Sequence, residues 1–541
     1  MTQSRLWRLL ALLFAFSLVA AACGGGDSDD TSAGEETEDT AAPSEGDDEE
    51  DDSSIGGGLE QEDLEGEQTT TTVTEEEAAI DTSTIEGVFE AAAVRRAGIV
   101  AELTAAIDSG EYGVGDDGIL RGPAGFEIDM NNCPDDWSDT HGLTDSEIRI
   151  GHTTAQSGNL AAYGNIALGW DNYNQWINDN EGGVGGRDIT LITKDDGYVA
   201  AVTIEFVDEL IEAENVFAIL TLGSPNTLAV YDKLNEECIP QPFVMTGHPA
   251  WGDPVNHPWT TGLQMSYSTE SILWGNWIKS NLSDDLPVSV AGLIMDNDFG
   301  LAYEKGFEAY AEAHPDVVSE WIPVRHDPAA PTLTNEVTTI AAADPDVFIS
   351  MTAGNPCLLA IQEVEAAGLL DSLLAAFTPS VCKGIAAYMA PAGAAADDWW
   401  IVGGGVKDTT DPAYTDEPFI AFINDELAAA GLDPSISLLG TGFGQYGYPN
   451  IEALRVAAAL PGGLNRTNFI LAVRSLNIYH PQFLDGISFA ANGAEDSYFV
   501  EGSDFSQFDA DAQSWNIVGD IVDVNGGSPN CAWDKDNGGC G

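Results

Sequence analysis

The sequence predicts an α/β fold made of two lobes, each built on a doubly wound parallel sheet. From about Leu143 onward, short apolar strands alternate with longer helical segments, which is typical of βαβ units with helices on both sheet faces. The alternation forms two successive series, which we interpret as two lobes. The length of 541 residues is sufficient for two or three domains with sizeable cores.

Each series contributes four predicted strands with helices between them. The first has the strands "EIRIGHT", "DITLITKDD", "VFAILTLGS" and "PQPFVMTGH" and the helices "LAAYGNIALGWDNYNQWINDN", "AVTIEFVDELIEAE" and "NTLAVYDKLNEE". The second has the strands "SVAGLIMDNDFG", "DVVSEWIPV", "PDVFISMTAG" and "LLAAFTPS" and the helices "LAYEKGFEAYAEAH", "TLTNEVTTIAAA" and "CLLAIQEVEAAGL". Ligands of open parallel sheets bind outside the carboxyl ends of strands, so we expect the site at residues 152–158, 223–226, 246–250, 296–300, 352–357 and 378–381.

The glycine-rich stretch "INDNEGGVGGRDITLITKDD" invites comparison with a phosphate-binding loop. Such loops need the order strand, glycines, helix N-terminus. Here the order is helix, glycines, strand, and the sequence contains no G-x-x-x-x-G-K-[ST]. We therefore predict a turn in which Gly182 and Gly183 adopt positive φ and end the helix.

The first 22 residues have the pattern of an export signal. Arg5 and Arg8 precede an apolar run from Leu9 to Ala22, which as a helix would span about 21 Å, short of a hydrocarbon core of about 30 Å. "LVAAAC" ends at Cys23 and resembles the lipobox of bacterial lipoproteins. We expect a signal peptide over residues 1–22 and a lipidated Cys23 that anchors the protein to the membrane.

The composition of the chain is strongly acidic. It has 90 Asp and Glu residues against 18 Lys and Arg, for a formal charge of −72. Nucleic acid is excluded as a partner because phosphate binding needs clustered Lys and Arg. Residues 23–80, rich in Asp, Glu, Thr, Ser and Gly, predict a disordered acidic linker. Residues 81–142 predict an extension that begins with a helix ending at Gly110.

Six cysteines remain after Cys23, an even number that suggests three disulfides in an exported protein. Six cysteines allow 15 pairings. We favour Cys133–Cys238, Cys357–Cys382 and Cys531–Cys540. A zinc site is the alternative, but the sequence has no C-x-x-C pair. The tail "CAWDKDNGGC" has a calcium-loop-like order at Asp534, Asp536 and Gly538 without the later acid, so a disulfide-closed end is favoured.

The order of several motifs resembles one known family. Ile150-Gly151, Ser157-Gly158, Tyr163-Gly164, Ile177-Asn178 and Gly182 to Gly186 follow the pattern of type I periplasmic binding proteins. "IMDNDFG", "EVEAAGL" and "QYGYPNIEALRVAAAL" continue the match. The chain thus resembles the leucine/isoleucine/valine-binding branch of ABC-transporter substrate-binding proteins over roughly residues 143–525. The resemblance implies a ligand held between two lobes.

The resemblance also implies a set of cleft residues. Tyr163 matches an aromatic residue of the first lobe, Ser224 matches a serine that binds ligand carboxylates, and Phe299 replaces a tyrosine of the second lobe. Packing of Tyr163, helix capping by Ser224 and a structural role for His248 are the alternatives. The full predicted ligand-binding set is Tyr163, Ser224, Thr246, Gly247, His248, Phe299, Asn355 and Ser380.

Two departures from the family affect the expected ligand. The segment Thr378 to Cys382 lacks the acidic residue that holds an amino-acid ammonium group, and Thr352 to Asn355 lacks an expected tyrosine. The ligand class that follows is a small polar metabolite, either an amino acid, an amide or a related molecule. We expect no catalytic residues, no metal and no cofactor.

The resemblance implies the following domain boundaries. Lobe 1 comprises residues 143–265 with 408–485, lobe 2 comprises residues 266–407 with 486–524, and residues 525–541 form a C-terminal tail. A three-segment hinge is expected near residues 262–266, 404–410 and 484–488, about which the lobes close on the ligand.

Three functions remain open from the sequence. The first is a lipid-anchored, monomeric solute receptor that delivers its ligand to an ABC permease. The second is a sensor or scaffold on the same fold. The third is an extracytoplasmic hydrolase, which is disfavoured because the sequence has neither G-x-S-x-G nor H-E-x-x-H.

Overall fold

The computed structural model describes residues 80–535 and 538–540. The predicted signal peptide, Cys23 and the acidic linker up to residue 79 lie outside these residues, as does Asp536 of the C-terminal motif. Among the helices of the described part, none combines the length and the apolar character needed to cross a bilayer.

The first half of the described chain holds the extension and the first series of strands and helices. In chain order these are α1 Ile85–Ser109, β1 Gly113–Val114, β2 Ile119–Arg121, β3 Glu127–Asp129, β4 Glu147–Thr154, α2 Gly164–Glu181, β5 Asp188–Asp195, α3 Ala200–Glu212, β6 Ala218–Thr221, α4 Ser224–Leu228, α5 Tyr231–Glu236, β7 Gln241–Val244 and β8 Thr260–Gly262. A 3₁₀ helix over Gly158–Tyr163 leads into α2.

The second half holds the second series, a group of helices and six short C-terminal strands, which pair antiparallel as β14 with β17, β15 with β16 and β18 with β19. In chain order these are α6 Tyr267–Asn281, β9 Val288–Met295, α7 Asp298–Ala313, β10 Val318–His326, α8 Thr334–Ala343, β11 Val347–Met351, α9 Asn355–Ala366, β12 Ala375–Thr378, α10 Ala390–Ala392, β13 Trp400–Val402, α11 Pro418–Ala429, α12 Ser437–Gly440, α13 Tyr448–Ala459, α14 Arg466–Arg474, β14 Gly502–Ser503, β15 Phe505–Asp509, β16 Ser514–Ile517, β17 Val522–Asp523, β18 Trp533–Asp534 and β19 Gly539–Cys540.

The first lobe is built on parallel strands. β5, β4 and β6 form one sheet in that order, and a parallel bridge between Leu222 and Met245 continues it to the parallel pair β7 and β8. Every residue of β6 and β7 is buried. Burial on both faces is what a parallel sheet covered by crossover helices requires.

The second lobe contains a sheet of seven strands in the order β10-β9-β11-β12-β13-β15-β16. The first five are parallel, and β15 and β16 are antiparallel. The α/β class with two parallel-sheet lobes is thus confirmed, with an antiparallel hairpin added at one edge. Only four residues, 510–513, join β15 to β16, and so short a connection permits antiparallel pairing only.

The chain passes between the two sheets three times. The first passage lies between β8 and α6, the second between β13 and α11, and the third between α14 and β15. These passages contain the three segments in which a hinge was predicted. Ligands are expected where the carboxyl ends of both sets of strands face each other.

The glycine-rich stretch forms the predicted turn. Gly182 caps α2 in the left-handed conformation with φ of 74°, Gly183 follows at 72°, and β5 begins at Asp188. The geometry is that of a helix C-terminus, which presents carbonyl oxygens rather than the N–H groups that bind phosphate.

The extension over residues 81–142 packs on the first lobe. Helix α1 ends at Gly110 as predicted, and its Phe89 stacks on Trp176 at 5.7 Å between ring centroids. Arg96 forms a 2.6 Å ion pair with Glu452, whose side chain is 1% exposed. The antiparallel strands β1 to β3, which follow α1, were not predicted, because strands of two or three residues carry no readable alternation.

The structure joins the three cysteine pairs that the sequence analysis favoured. Cys133–Cys238 ties the extension to the first lobe, and Cys357–Cys382 ties the start of α9 to the segment after β12. Cys531–Cys540 closes the C-terminal hairpin of β18 and β19. The six cysteines of the alternative zinc site are thus paired with one another in the structure.

Candidate functional site

A cavity lies between the two lobes at the carboxyl ends of their strands. Its volume is about 110 Å³. On the same measure a single water molecule needs roughly 10–15 Å³, so the cavity admits a small organic molecule. Six aromatic side chains line the cavity: Tyr163, Tyr198, Tyr267, Phe299, Tyr446 and Phe483.

Hydrogen bonds cross the cleft beside this cavity. The hydroxyl of Tyr163 in the first lobe accepts a hydrogen bond from the Gly354 N–H in the second lobe at 3.1 Å. The Asn159 side-chain amide donates to the carbonyl oxygens of Pro328 and Ala330 at 3.0 and 3.4 Å. The lobes are thus in direct contact around the cavity, in a closed arrangement.

Three of the predicted ligand-binding residues line the cavity, namely Tyr163, Phe299 and Ser380. Tyr163 comes from the 3₁₀ turn before α2, and Phe299 comes from the first turn of α7. The side chain of Asn297 caps that turn by accepting from the Phe299 N–H at 3.1 Å, which fixes where the ring enters the cleft. The Phe299 ring meets the Tyr267 ring edge to face at 5.1 Å.

Ser224, Thr246 and Gly247 lie behind the wall of the cavity. The Ser224 and Thr246 hydroxyls are 2.7 Å apart, and the Thr246 hydroxyl donates to the Tyr267 hydroxyl at 3.3 Å. The Gly247 carbonyl accepts from the Tyr267 N–H at 2.7 Å, and a Cβ at Gly247 would lie 2.6 Å from the Tyr267 ring. In this structure the three residues hold Tyr267 in place, and Tyr267 faces the cavity.

His248 and Asn355 do not reach the cavity. The ring of His248 is fully buried against Trp533, and its Nδ1 accepts a hydrogen bond from the Ala250 N–H at 3.2 Å. Burial lowers the pKa of His248 to about 3, so the ring is neutral. The side chain of Asn355 is exposed at the start of α9, and its neighbour Gly354 makes the cross-lobe contact instead.

Ser380 is held by a buried carboxylate. Its N–H donates to Glu270 Oε1 at 2.7 Å and its hydroxyl donates to Glu270 Oε2 at 2.7 Å. The Tyr303 hydroxyl donates to the same Oε2 at 2.8 Å. Burial raises the pKa of Glu270 to about 7, while the hydrogen bonds from Ser380 and Tyr303 act in the opposite direction.

The cavity wall also contains Lys383, Lys407 and Asp408. Lys383 Nζ lies 3.0 Å from each carboxylate oxygen of Asp504 and 3.3 Å from the Gly403 carbonyl oxygen. Lys407 Nζ lies 2.6 Å from Glu417 Oε2. Asp408 accepts hydrogen bonds from the Ile385 N–H and from the N–H and hydroxyl of Thr410, all at 2.7–2.8 Å.

Five residues of the cavity wall were not predicted as site residues from the sequence, namely Tyr198, Tyr267, Lys383, Lys407 and Tyr446. Tyr198 reaches the cavity only because Gly223 leaves room, since a Cβ at Gly223 would lie 2.2 Å from the Tyr198 ring. No local pattern reveals such a contact. The two lysines could have been singled out from the sequence. Lys and Arg together number only 18 in the chain, so a lysine that closely follows a strand is an uncommon feature.

Burial sets the chemistry of the cavity tyrosines. It raises the pKa of Tyr163, Tyr198, Tyr267 and Tyr446 above the ordinary value of 10. All four are therefore neutral phenols that offer an aromatic surface and a hydroxyl. The described cavity is a mostly apolar pocket with a few fixed polar groups, which is the usual form of a site for small-molecule binding.

A family model described as "Periplasmic binding protein" matches residues 147–494. The search of curated proteins found no match. Many solved structures share the fold.

Three of the similar structures illustrate the range of ligands that their titles name. A fatty acid ABC transporter substrate-binding protein from Thermomonospora curvata has 18% identity and a TM-score of 0.60, covering 73% of this chain and 97% of its own. A solute-binding protein from Rhodopseudomonas palustris BisB5 in complex with 3,4-dihydroxybenzoic acid has 19% identity and a TM-score of 0.58, with coverages of 70% and 98%. A branched-chain amino acid ABC transporter protein from Thermus thermophilus with bound valine has 16% identity and a TM-score of 0.59, with coverages of 70% and 97%.

At these identities the solved structures support the fold, and the family assignment rests on the match over residues 147–494, which is more than half of the chain. That match spans both lobes and the aromatic cavity between them. The protein belongs to the periplasmic binding protein family.

Proposed function

We propose that this protein is an extracytoplasmic solute receptor that captures a small molecule by closure of its two lobes and delivers it to an ABC permease. The observation that carries the proposal is the cavity of about 110 Å³ between two lobes that touch through Tyr163 and Gly354. A ligand that contacts both lobes favours the closed form over the open one. The closed form then presents a distinct surface to the permease.

The cellular setting of the proposal comes from the N-terminal sequence. Export by the signal of residues 1–22 and lipidation at Cys23 would place the receptor outside the membrane, with the acidic linker as a tether. The similar structures described above include ABC-transporter proteins whose titles name a fatty acid, a dihydroxybenzoic acid and valine. We propose that the receptor acts as a monomer and binds its ligand without transforming it.

The proposal is tested by thermal unfolding of the full chain against a panel of metabolites. The panel contains amino acids, aromatic and fatty acids, amides, alcohols, urea and polyamines. A ligand present at 100 times its Kd stabilises the native state by about 2.7 kcal/mol, which raises the unfolding temperature measurably. Small-angle X-ray scattering with the best ligand should show no larger radius of gyration than without it. A panel that leaves the unfolding temperature unchanged throughout contradicts the proposal.

A further inference from the structure

The charged groups of the cavity wall already have partners inside the protein. Lys383 has three N–H groups, and the two oxygens of Asp504 and the carbonyl of Gly403 accept them. Lys407 is 7% exposed and is paired with Glu417. A ligand carboxylate would therefore find each of these cations neutralised by a carboxylate of the chain.

The acidic groups near the cavity are satisfied in the same way. Asp408 accepts three hydrogen bonds from the Ile385 and Thr410 donors, and Glu270 accepts three from Ser380 and Tyr303. Both carboxylates are buried. A ligand ammonium group would have to compete with these donors for a carboxylate, and no unoccupied carboxylate lines the described cavity.

The groups left without partners are uncharged. The hydroxyls of Tyr198 and Tyr446 make no hydrogen bond to another described residue, and both rings line the cavity. Gln264 also lines it, and its Oε1 is buried without a partner. The Tyr267 hydroxyl accepts from Thr246 and keeps its own proton available for a ligand oxygen. The cavity thus offers phenol donors and one amide acceptor inside an aromatic wall.

From this arrangement we infer that the cleft selects an uncharged ligand, with an apolar body and a neutral group that both donates and accepts hydrogen bonds, over the matching carboxylate or ammonium. Primary amides and alcohols have this chemistry. The inference deepens the proposed function and rests on it.

The selection has a physical basis in the cost of burying charge. An ionised group moved from water into a largely apolar cavity loses its hydration and must recover that energy from a fixed counter-charge. Here the counter-charges of Lys383 and Lys407 are already balanced by Asp504 and Glu417. The chain's formal charge of −72 further disfavours the approach of anions. A neutral group loses less hydration and meets Gln264 and the tyrosine hydroxyls directly.

The test is a comparison of matched ligands by isothermal titration calorimetry at pH 7.5 with the full chain. One set is benzamide, benzyl alcohol, benzoate and benzylammonium. The others are isovaleramide with isovalerate and octanamide with octanoate. The expected result is that the neutral member of at least one set binds about tenfold or more tightly than its charged counterpart. A preference for the neutral member of less than about tenfold in every set that binds, or a preference for the charged member, overturns the inference while the proposed function stands. If no compound of these sets binds, the inference is overturned, while the proposed function is decided by the wider metabolite panel.

A pair of variants tests the cause of the selection. Glu417→Gln removes the carboxylate paired with Lys407, and Glu417 is partly exposed, so the change does not disturb a core. Asp425→Asn makes the same change of charge on the exposed face of α11 and serves as the matched control. Glu417→Gln should raise the affinity for benzoate on the order of tenfold, since a charge-assisted hydrogen bond to Lys407 becomes available. Equal benzoate affinities in the two variants overturn the inference.

Discussion

Tyr163 is the residue through which the cavity and the closure of the lobes are connected. Its ring lines the cavity, and its hydroxyl accepts the hydrogen bond from the Gly354 N–H of the opposite lobe. Closure of the lobes creates this bond, and opening exposes the Gly354 N–H to water. The hydroxyl therefore favours the closed form whether or not it touches the ligand.

Tyr163→Phe is expected to weaken ligand binding about two- to tenfold, the effect of one net hydrogen bond. The ring stays in the wall, so the pocket keeps its shape. Calorimetry with the ligand identified by the metabolite panel measures the change, and Tyr112→Phe in the extension provides a matched control away from the cleft. Equal affinities of Tyr163→Phe and wild type would show that the bond does not contribute to closure.

Glu270 couples the cleft to the pH dependence of stability. Burial raises its pKa from 4.5 to about 7, so between these values the native state keeps a proton that the unfolded chain has released. The free energy of unfolding therefore falls as pH rises from about 4.5 to about 7, by up to about 3 kcal/mol from this group. Burial also raises the pKa values of Asp496 and Glu501, whose contributions have the same sign.

Glu270→Gln is expected to reduce this loss of stability between pH 4.5 and pH 8. The glutamine cannot titrate, and the remaining slope comes from other groups such as Asp496 and Glu501. Urea unfolding at several pH values measures the slope, with Glu312→Gln on the exposed face of α7 as control. An unchanged slope in Glu270→Gln would show that Glu270 does not carry a raised pKa.

At the scale of elements, the extension is held to the first lobe by one disulfide and by side-chain contacts of α1. Cys133–Cys238 bridges 105 residues of sequence, and α1 adds the Phe89 aromatic contact and the Arg96–Glu452 ion pair. The extension also reaches the segment that follows α14, because a Cβ at Gly493 would lie 1.8 Å from the Pro123 carbonyl oxygen. The extension is therefore fixed to the body of the protein at several points.

The loop-entropy model predicts how much each of two disulfides contributes to the free energy of unfolding. The two differ mainly in the length of the loop that they close. Replacing Cys133 and Cys238 with serine should lower the free energy of unfolding by about 5 kcal/mol, and replacing Cys531 and Cys540 should lower it by about 3 kcal/mol. The sequence separations of 105 and 9 residues are the cause of the difference. Chemical denaturation of both double variants measures it, and the reverse order would contradict the model for this protein.

Prediction from sequence succeeded at the elements whose pattern is local. The strands around Ile150, Ile219 and Phe348 are apolar runs between turn residues, and Gly110 and Gly182 end their helices as expected. The pattern failed at β13, where three residues in "DDWWIVGGG" are too few to show alternation. The strand exists because it adds to the edge of β12 and then accepts β15.

At the scale of the whole molecule, the dominant property is net negative charge. A formal charge of −72 with only 18 Lys and Arg leaves most carboxylates without a basic partner. Self-repulsion of this kind opposes the compact state and is reduced when salt screens it.

The unfolding temperature is therefore expected to rise with NaCl concentration, most steeply between about 0.01 and 0.15 M, where the Debye length falls from about 30 to about 8 Å. Differential scanning calorimetry of the full chain checks this. Sucrose at matched osmolality is the control, because it does not screen charge. A flat response to salt below 0.15 M would show that the carboxylates are spaced too widely to repel one another appreciably.

The sequence by itself determined the class of fold, the order of strands and helices in the two βαβ series and the turn at Gly182, because these follow from local periodicity and from motifs that are contiguous in the chain. The predicted site residues Tyr163, Phe299 and Ser380 came from the resemblance to a known family, and the structure places them in the cavity wall. Only the tertiary structure decided that Ser224 and Thr246 support Tyr267, and that Lys383 and Lys407 are neutralised by Asp504 and Glu417. Those pairs join different strands, helices and loops, and the sum of charges around a cavity depends on which side chains meet there. The spacing of residues along the chain therefore does not reveal the net charge around the cavity.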